Sequence, residues 1–210
     1  MELWLIRHGT TRANLEGRLQ GTLPFPLGPE GRKEVTYLAE RLKAQPFSAI
    51  FSSSALRARQ TTRLLYVRVQ APPPLFTPLL QEYHWGIAQG LNRQEMGERY
   101  PSILEKLERN FHKAEIPGAE GIQMLFQRAG RFYRFLETLE RSGRYKLPIL
   151  VVSHGRFLQA FIQCFLAYDD QQGWPFSVSP ASLTVLDGDF QGRRRLKLFN
   201  DTCHLHRQVK

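Results

Sequence analysis

Arg7-His8-Gly9 directly follows the apolar run Leu3-Trp4-Leu5-Ile6, and a second run, Ile149-Leu150-Val151-Val152, ends the same way in Ser153-His154-Gly155. A short buried strand that stops in Arg-His-Gly sets an imidazole and a guanidinium at the C-terminal edge of a sheet, where open α/β folds bind ligands. An imidazole flanked by a cation suits attack on an anionic centre, phosphorus foremost. Arg57, in the first turn of a helix after the strand Ala49-Ile50-Phe51, adds a second guanidinium. Two planar forks of donors match the geometry of phosphate oxygens. A helix opening at Gly155 directs partial positive charge toward an anion in the same crevice. These cations disfavour the imidazolium and keep His8 neutral and nucleophilic. They also stabilise the oxygens of phosphorus during its transfer. The pattern therefore fits covalent catalysis through a phosphohistidine. Because arginines neutralise the charge, no metal or other cofactor is required, and no Asp-rich or His-x-x-x-His cluster suggests a metal site.

Each residue also has a plainer reading. Arg-His-Gly alone is a common surface turn, and a lone His154 would read as a core histidine; two strand-ending histidines, each followed by glycine, do not read as packing. Arg57 competes with Arg59 and Arg63 on the same helix.

The elements that must position these residues alternate strand and helix signals along the chain, which indicates α/β architecture. The expected fold is one three-layer α/β/α domain over residues 1–210, with a mostly parallel sheet, crossover helices and a small helical cap at about 92–120. A helix carries Val35, Leu38, Ala39 and Leu42 on one face, and a longer one spans about 121–140 with Ile122, Leu125, Phe126, Ala129, Phe132, Leu136 and Leu139 in step. Ser52-Ser53-Ser54 suits the N-cap of a helix over 55–66, and another helix spans 156–166. Ala71-Pro72-Pro73-Pro74 reads as a rigid connector. The chain closes in a hairpin, Leu183-Thr184-Val185-Leu186 turning through Asp187-Gly188-Asp189 into Leu196-Lys197-Leu198-Phe199. Tyr100-Pro101 and the amphipathic stretch 103–111 predict the helical cap.

Composition narrows the class. The chain has 210 residues, 42% hydrophobic, with Cys164 and Cys203 as its two cysteines, so no disulfide framework is expected and a reduced, cytoplasmic setting is the simpler reading. No apolar stretch approaches the roughly 20 residues of a bilayer span, and Met1-Glu2-Leu3-Trp4 carries no basic leader. The net charge of +10, from 29 Lys plus Arg against 19 Asp plus Glu, suits anionic ligands. Basic residues are spread along the chain, apart from Arg193-Arg194-Arg195 at the start of an exposed strand. No nucleic-acid module is recognisable, and neither nucleic acid nor membrane is expected as a partner.

Taken together, Leu5-Ile6-Arg7-His8-Gly9-Thr10-Thr11 with Asn14, Ser52-Ser53 with Leu56-Arg57-Ala58 and Thr61, Leu80-Gln81-Glu82 with Gly86 and Gly90-Leu91, Pro117-Gly118-Ala119-Glu120, and Val151-Val152-Ser153-His154-Gly155 resemble, in order, the signatures of the histidine phosphatase (phosphoglycerate mutase-like) superfamily. The closing Asn200-Asp201-Thr202-Cys203-His204-Leu205 is similar to the tails of its small bacterial phosphatases. The resemblance implies His8 as nucleophile, with Arg7, Arg57 and His154 forming the phosphate pocket. It implies Glu82 as the acid that protonates the leaving alcohol and then the base that activates water. Asn14, Gln20 and Gly21 align with pocket-lining positions, Glu120 and Glu115 are the alternatives to Glu82, and a homodimer is in keeping with the family. His84, Trp85, His112 and Lys113 suit either the substrate or the surface; His204 reads as structural. Three positions depart from the pattern: Ala88-Gln89-Gly90 replaces Trp-Glu-Gly, Phe25 stands where an Asp often precedes Pro26, and Gly121 replaces a Ser.

The expected activity is a metal-independent phosphomonoesterase acting on a small phosphorylated metabolite. A cofactor-dependent phosphoglycerate mutase is the alternative, since Glu82-Tyr83-His84-Trp85-Gly86 is mutase-like. Residues 92–120, however, lack the adjacent arginine pair usual in mutases. A non-catalytic phospho-ligand module would be signalled by loss of His8 or Arg57, and neither is lost. A phosphoprotein phosphatase fits a helical cap less well than a small-molecule enzyme does.

Overall fold

The computed structural model describes residues 1–109, 114–143, 145–168, 174–189 and 192–206; His112 and Lys113 lie outside them. Six strands form one mixed sheet: β1 (Glu2–Arg7), β2 (Ala49–Ser53), β3 (Leu75–Thr77), β4 (Ile149–Ser153), β5 (Leu183–Gly188) and β6 (Arg194–Asp201). Their order is β3-β2-β4-β1-β5-β6. The first four run parallel, with Arg7 opposite Ser153 and Ser52 opposite Val152. The expected terminal hairpin adds β5 and β6 antiparallel beside β1, but Asp187 and Gly188, expected in its turn, pair with Arg195 and Arg194 as the last residues of β5.

Parallel strands covered on both faces must be apolar throughout, and side chains alternate between the faces. Leu3, Leu5, Phe51, Ile149 and Val151 therefore point one way, into a core shared with α6 (Ile122–Arg141) and α7 (Gly155–Leu166). Ile6, Ile50, Leu150 and Val152 point the other way, against α2 (Pro29–Leu42) and α3 (Leu56–Tyr66). Phe132 on α6 is fully buried and packs against Phe51, Phe157 and Phe161. Burial of a side chain of this kind stabilises a fold by about 1.5–3 kcal/mol. The cap is two short helices, α4 (Arg93–Arg99) and α5 (Pro101–Arg109); α1 (Arg12–Leu15) and α8 (Cys203–His206) are single turns.

Two local expectations change. The N-cap of α3 is Ala55, without a side-chain cap, while Ser53 stays in β2 and its hydroxyl accepts from the Ala55 N–H at 3.2 Å. The proline connector leads directly into β3, a three-residue edge strand too short and too exposed to show a buried pattern. The Arg193-Arg194-Arg195 cluster is partly neutralised by ion pairs from Arg193 to Asp189 and Arg195 to Asp187. Among the described residues no helix is long and apolar enough to cross a membrane.

Candidate active site

Parallel pairing brings the C-terminal ends of β1, β2 and β4 to one edge, and the residues just beyond those ends meet there. The His8 N–H donates to the Ser153 carbonyl at 3.0 Å, extending the β1–β4 ladder by one step. Gly9 follows because the backbone is crowded: a Cβ there would overlap the Gly31 carbonyl oxygen at the start of α2. The Gly9 N–H is held by Thr61 Oγ1 at 3.2 Å, and that hydroxyl donates to the Arg57 carbonyl at 2.9 Å. Thr61 thus ties the turn after β1 to the turn of α3 that carries Arg57.

His8 is 1% exposed. Its Nδ1 lies 2.8 Å from the Gly9 carbonyl oxygen, an acceptor, which puts the proton on Nδ1 and the lone pair on Nε2. Arg57 Nε donates to that Nε2 at 3.1 Å. Burial first, then the charges of Arg57 and Arg7, holds the His8 imidazolium well below the usual histidine range. Arg57 is itself fully buried, with Nη2 on the Gly21 carbonyl at 2.7 Å and Nη1 on the Leu23 carbonyl at 3.1 Å. Burial, with Arg7 adding to it, pulls its guanidinium down to about 10 against the opposing pull of Glu82. Arg7 donates through Nη1 to the Val178 carbonyl at 2.6 Å, and its buried Nε has no hydrogen-bond partner.

His154 sits behind His8, ring centroids 5.1 Å apart, with Nε2 2.7 Å from Ser53 Oγ. Burial, and then Arg57, lowers its pKa well below the ordinary value. Its buried Nδ1 is unpartnered. Buried polar atoms are rarely left so, and Arg7 Nε, on a residue that lines the cleft, marks a place where an acceptor oxygen would be bound.

Glu82 completes the group. It accepts from the Arg156 N–H at 3.1 Å, the Phe157 N–H at 3.2 Å and its neighbour Tyr83 N–H at 3.0 Å. Two N-terminal donors of α7, the Arg156 and Phe157 N–H groups, are thus engaged by Glu82, while Gly155 lines the cleft. Its loop is fixed from two sides. Arg128 donates to the Leu79 and Gln81 carbonyls at 2.8 and 2.6 Å, and the Ile87 N–H donates to the Pro117 carbonyl at 3.0 Å. Gly86 makes that second contact possible, since with φ +55° a Cβ would overlap Pro117 O. Arg128 also grips Glu120 in a two-bond pair at 2.8 Å each.

A cleft of about 290 Å³ opens over this edge, lined among others by Arg7, His8, Asn14, Gln20, Arg57 and Glu82. Glu115 and Glu120 line a neighbouring cavity and not the cleft, so among the described residues Glu82 is the carboxylate of the cleft. Gly21 lends its carbonyl to Arg57 and does not line the cleft, and His154 supports His8 from behind its wall. Trp85 lines the cleft; His84 does not, and its Nδ1 accepts from the Gly86 N–H at 3.1 Å. Thr11 hydrogen-bonds both Asn14 Oδ1 and Gln20 Oε1, at 2.9 and 3.0 Å, and so orients two lining residues. Gln89, one of the departures from the family pattern, anchors the adjacent loop by accepting from the Thr22 N–H at 2.9 Å. Gly121 is the N-cap of α6 at φ +75°, a conformation that disfavours the Ser usual there.

Sequence reasoning passed over Arg18, Leu19, Arg156, Gln159, Ser177 and Val178, all on the cleft wall. Arg156 carried a signal, since it stands two residues after His154 in the first turn of a helix. Ser177 and Val178 carried none, because an irregular segment brings them in. Among the described residues no three His, Cys, Asp or Glu side chains gather as a metal site.

The family model described as histidine phosphatase superfamily, branch 1, matches residues 3–202. Phosphoserine phosphatase 1 of Hydrogenobacter thermophilus is 29% identical over 205 residues, 98% of this chain and 94% of that protein. A 2,3-bisphosphoglycerate-dependent phosphoglycerate mutase 2 of Gloeobacter violaceus is 30% identical over 162 residues, covering 76% of this chain and 73% of the mutase. The structure of the α-ribazole phosphatase of Shigella flexneri superposes with a TM-score of 0.83 at 28% identity, over 96% of this chain and 97% of the other. The chain belongs to the histidine phosphatase superfamily, branch 1.

Proposed function

We propose that this chain is a phosphomonoesterase that works through a phosphohistidine on His8. The observation that carries the reading is the setting of His8: buried, with Nδ1 2.8 Å from the Gly9 carbonyl oxygen and Nε2 3.1 Å from Arg57 Nε, a geometry that suits a neutral ring with its lone pair on Nε2. A bound phosphoryl group takes the Arg57 and Arg7 guanidiniums onto its oxygens, which releases the Nε2 lone pair for attack. The N–P bond forms as the ester P–O bond breaks, and the leaving oxygen takes a proton from the Glu82 carboxyl. Water then attacks phosphorus, Glu82 takes its proton, the N–P bond breaks and inorganic phosphate leaves. Arg7 and Arg57 stabilise the oxygens in both steps, and Arg7 Nε, buried without a partner on a residue that lines the cleft, suits a further oxygen of the phosphoryl group. This set of fixed cations supports chemistry independent of a metal ion.

The test is phosphate release from a panel of phosphomonoesters in EDTA, for the wild type and His8→Ala. Release that survives EDTA and disappears in His8→Ala is the expected result. Interconversion of 3- and 2-phosphoglycerate on adding 2,3-bisphosphoglycerate, with negligible release, would make the chain a mutase instead. Silence in both assays would leave a non-catalytic phospho-ligand module.

A further inference from the structure

Beside the arginine-lined cleft lies a second cavity of about 250 Å³, under the cap helices, and the two share Leu19, Trp85 and Arg156. Its walls are of another kind. Leu19, Trp85, Met96, Leu104 and Leu107 line it, from the turn after α1, the Glu82 loop, α4 and α5. The charged groups at its edge are engaged with protein. Arg93 pairs with Glu108 at 2.7 Å, bridging α4 to α5. The Arg156 guanidinium lies over the Trp174 and Trp85 rings, 5.0 and 5.9 Å from their centroids, and donates to Gln159 Oε1 at 3.1 Å. Asn92 is occupied in capping α4 through the Glu95 N–H. A carboxylate placed here would face largely apolar walls, with Arg93 already paired to Glu108 and Arg156 stacked on the two tryptophan rings.

Resting on the phosphomonoesterase reading, we propose that this cavity is the subsite for the alcohol part of the substrate. The substrate class is then a phosphomonoester whose alcohol carries an apolar or aromatic body, rather than a compact one bearing a second anionic group. Water occupies about 30 Å³ per molecule in the liquid, so the space suits a body of roughly eight non-hydrogen atoms, about a phenyl ring with a short linker. Trp85 and the Arg156 guanidinium form the threshold between the two cavities, and flat groups stack on both. Leu104 and Leu107 are half-buried on α5 and act as specificity-determining residues, since they meet the body of the substrate and not the phosphoryl group.

The experiment compares esters of primary alcohols: phenylalkyl phosphates with one to four methylenes, n-propyl phosphate and O-phosphoserine. The expected result is a kcat/KM for the best phenylalkyl phosphate at least about tenfold above both others, in line with the roughly 10- to 200-fold that an apolar pocket yields per group. In Leu104→Gln and in Leu104→Trp, which makes the wall polar or fills the cavity, the ratio of phenylalkyl to propyl kcat/KM should fall about tenfold. A purely structural defect would lower both esters together, and an unmoved ratio overturns the proposal. Release led by O-phosphoserine also overturns it while leaving the phosphomonoesterase reading standing. No release from any ester overturns that reading and this proposal with it.

Discussion

The two ends of the cleft are made of opposite materials. At the sheet edge, His8, Arg57 and His154 are all but closed off from solvent, and β1, β2, β4 and the start of α3 fix them through backbone pairing and side-chain hydrogen bonds. Under the cap, α5 buries none of its residues completely, and it meets the body of the protein through the half-buried Ile103, Leu104 and Leu107. One end holds charge in a fixed geometry, as differential stabilisation of a transition state requires. The other offers apolar area with little geometric demand. Substitutions at the first end should therefore act on the chemical step for every ester, and those at the second on the choice among esters.

The sharpest way to break this division is His8→Ala. Loss of the nucleophile should lower kcat by at least about 10⁴-fold for all phosphomonoesters, read as initial phosphate release. A variant that stayed active toward one substrate would dissolve the distinction.

Glu82→Gln comes next. It should cost about 10²- to 10⁴-fold with alkyl phosphates, whose leaving oxygen needs a proton. With p-nitrophenyl phosphate the loss in the phosphorylation step should be much smaller, because nitrophenolate leaves unaided. Equal losses in pre-steady-state bursts of the two esters would remove Glu82 from the acid role. Arg57→Lys should follow at about 10²- to 10³-fold in kcat/KM, since an ammonium cannot reach His8, Gly21 and Leu23 together as the guanidinium does. An activity within twofold of wild type would count against Arg57 as the cation of the transition state.

The smallest effect is on stability. His8 and His154 both have folded pKa values depressed by burial, so below the ordinary value near 6.5 the unfolded chain binds protons that the folded chain does not. Their contribution is complete above about pH 6.5 and is lost as the pH falls toward the folded values, at up to about 1.4 kcal/mol per pH unit for each histidine. Urea midpoints should drop between pH 7 and 5, and less steeply in His8→Asn. An identical slope in the variant would mean that His8 is protonated in the folded chain. The depressed pKa also places the acidic limb of kcat/KM for His8 below the usual histidine range.

What could be read from the sequence follows the same division. His8, Arg57 and His154 were legible because strand ends and the first turn of the next helix are positions that chain order alone assigns to one sheet edge, provided β1, β2 and β4 are parallel. Glu82 required the resemblance to a family, since its place depends on Arg128 gripping a loop from 46 to 49 residues away in sequence. The subsite under the cap was not legible. Leu19 comes from a turn, Trp85 from a loop, and Met96, Leu104 and Leu107 from two short helices. Periodicity reports that such residues face something apolar, not whether that is core or cavity. The capping box that opens α1 escaped for a smaller reason: Thr11 pairs with Asn14, where the usual signature ends in Glu or Gln. β3 was lost among prolines.

The most direct test of the central claim is rapid-quench capture of the phosphoenzyme with a ³²P-labelled ester, followed by peptide mapping. The account predicts an acid-labile, alkali-stable label on His8, up to one per chain, discharged as inorganic phosphate at a rate compatible with turnover and absent in His8→Ala. Steady phosphate release with no labelled protein at any time, undiminished in His8→Ala, would contradict it.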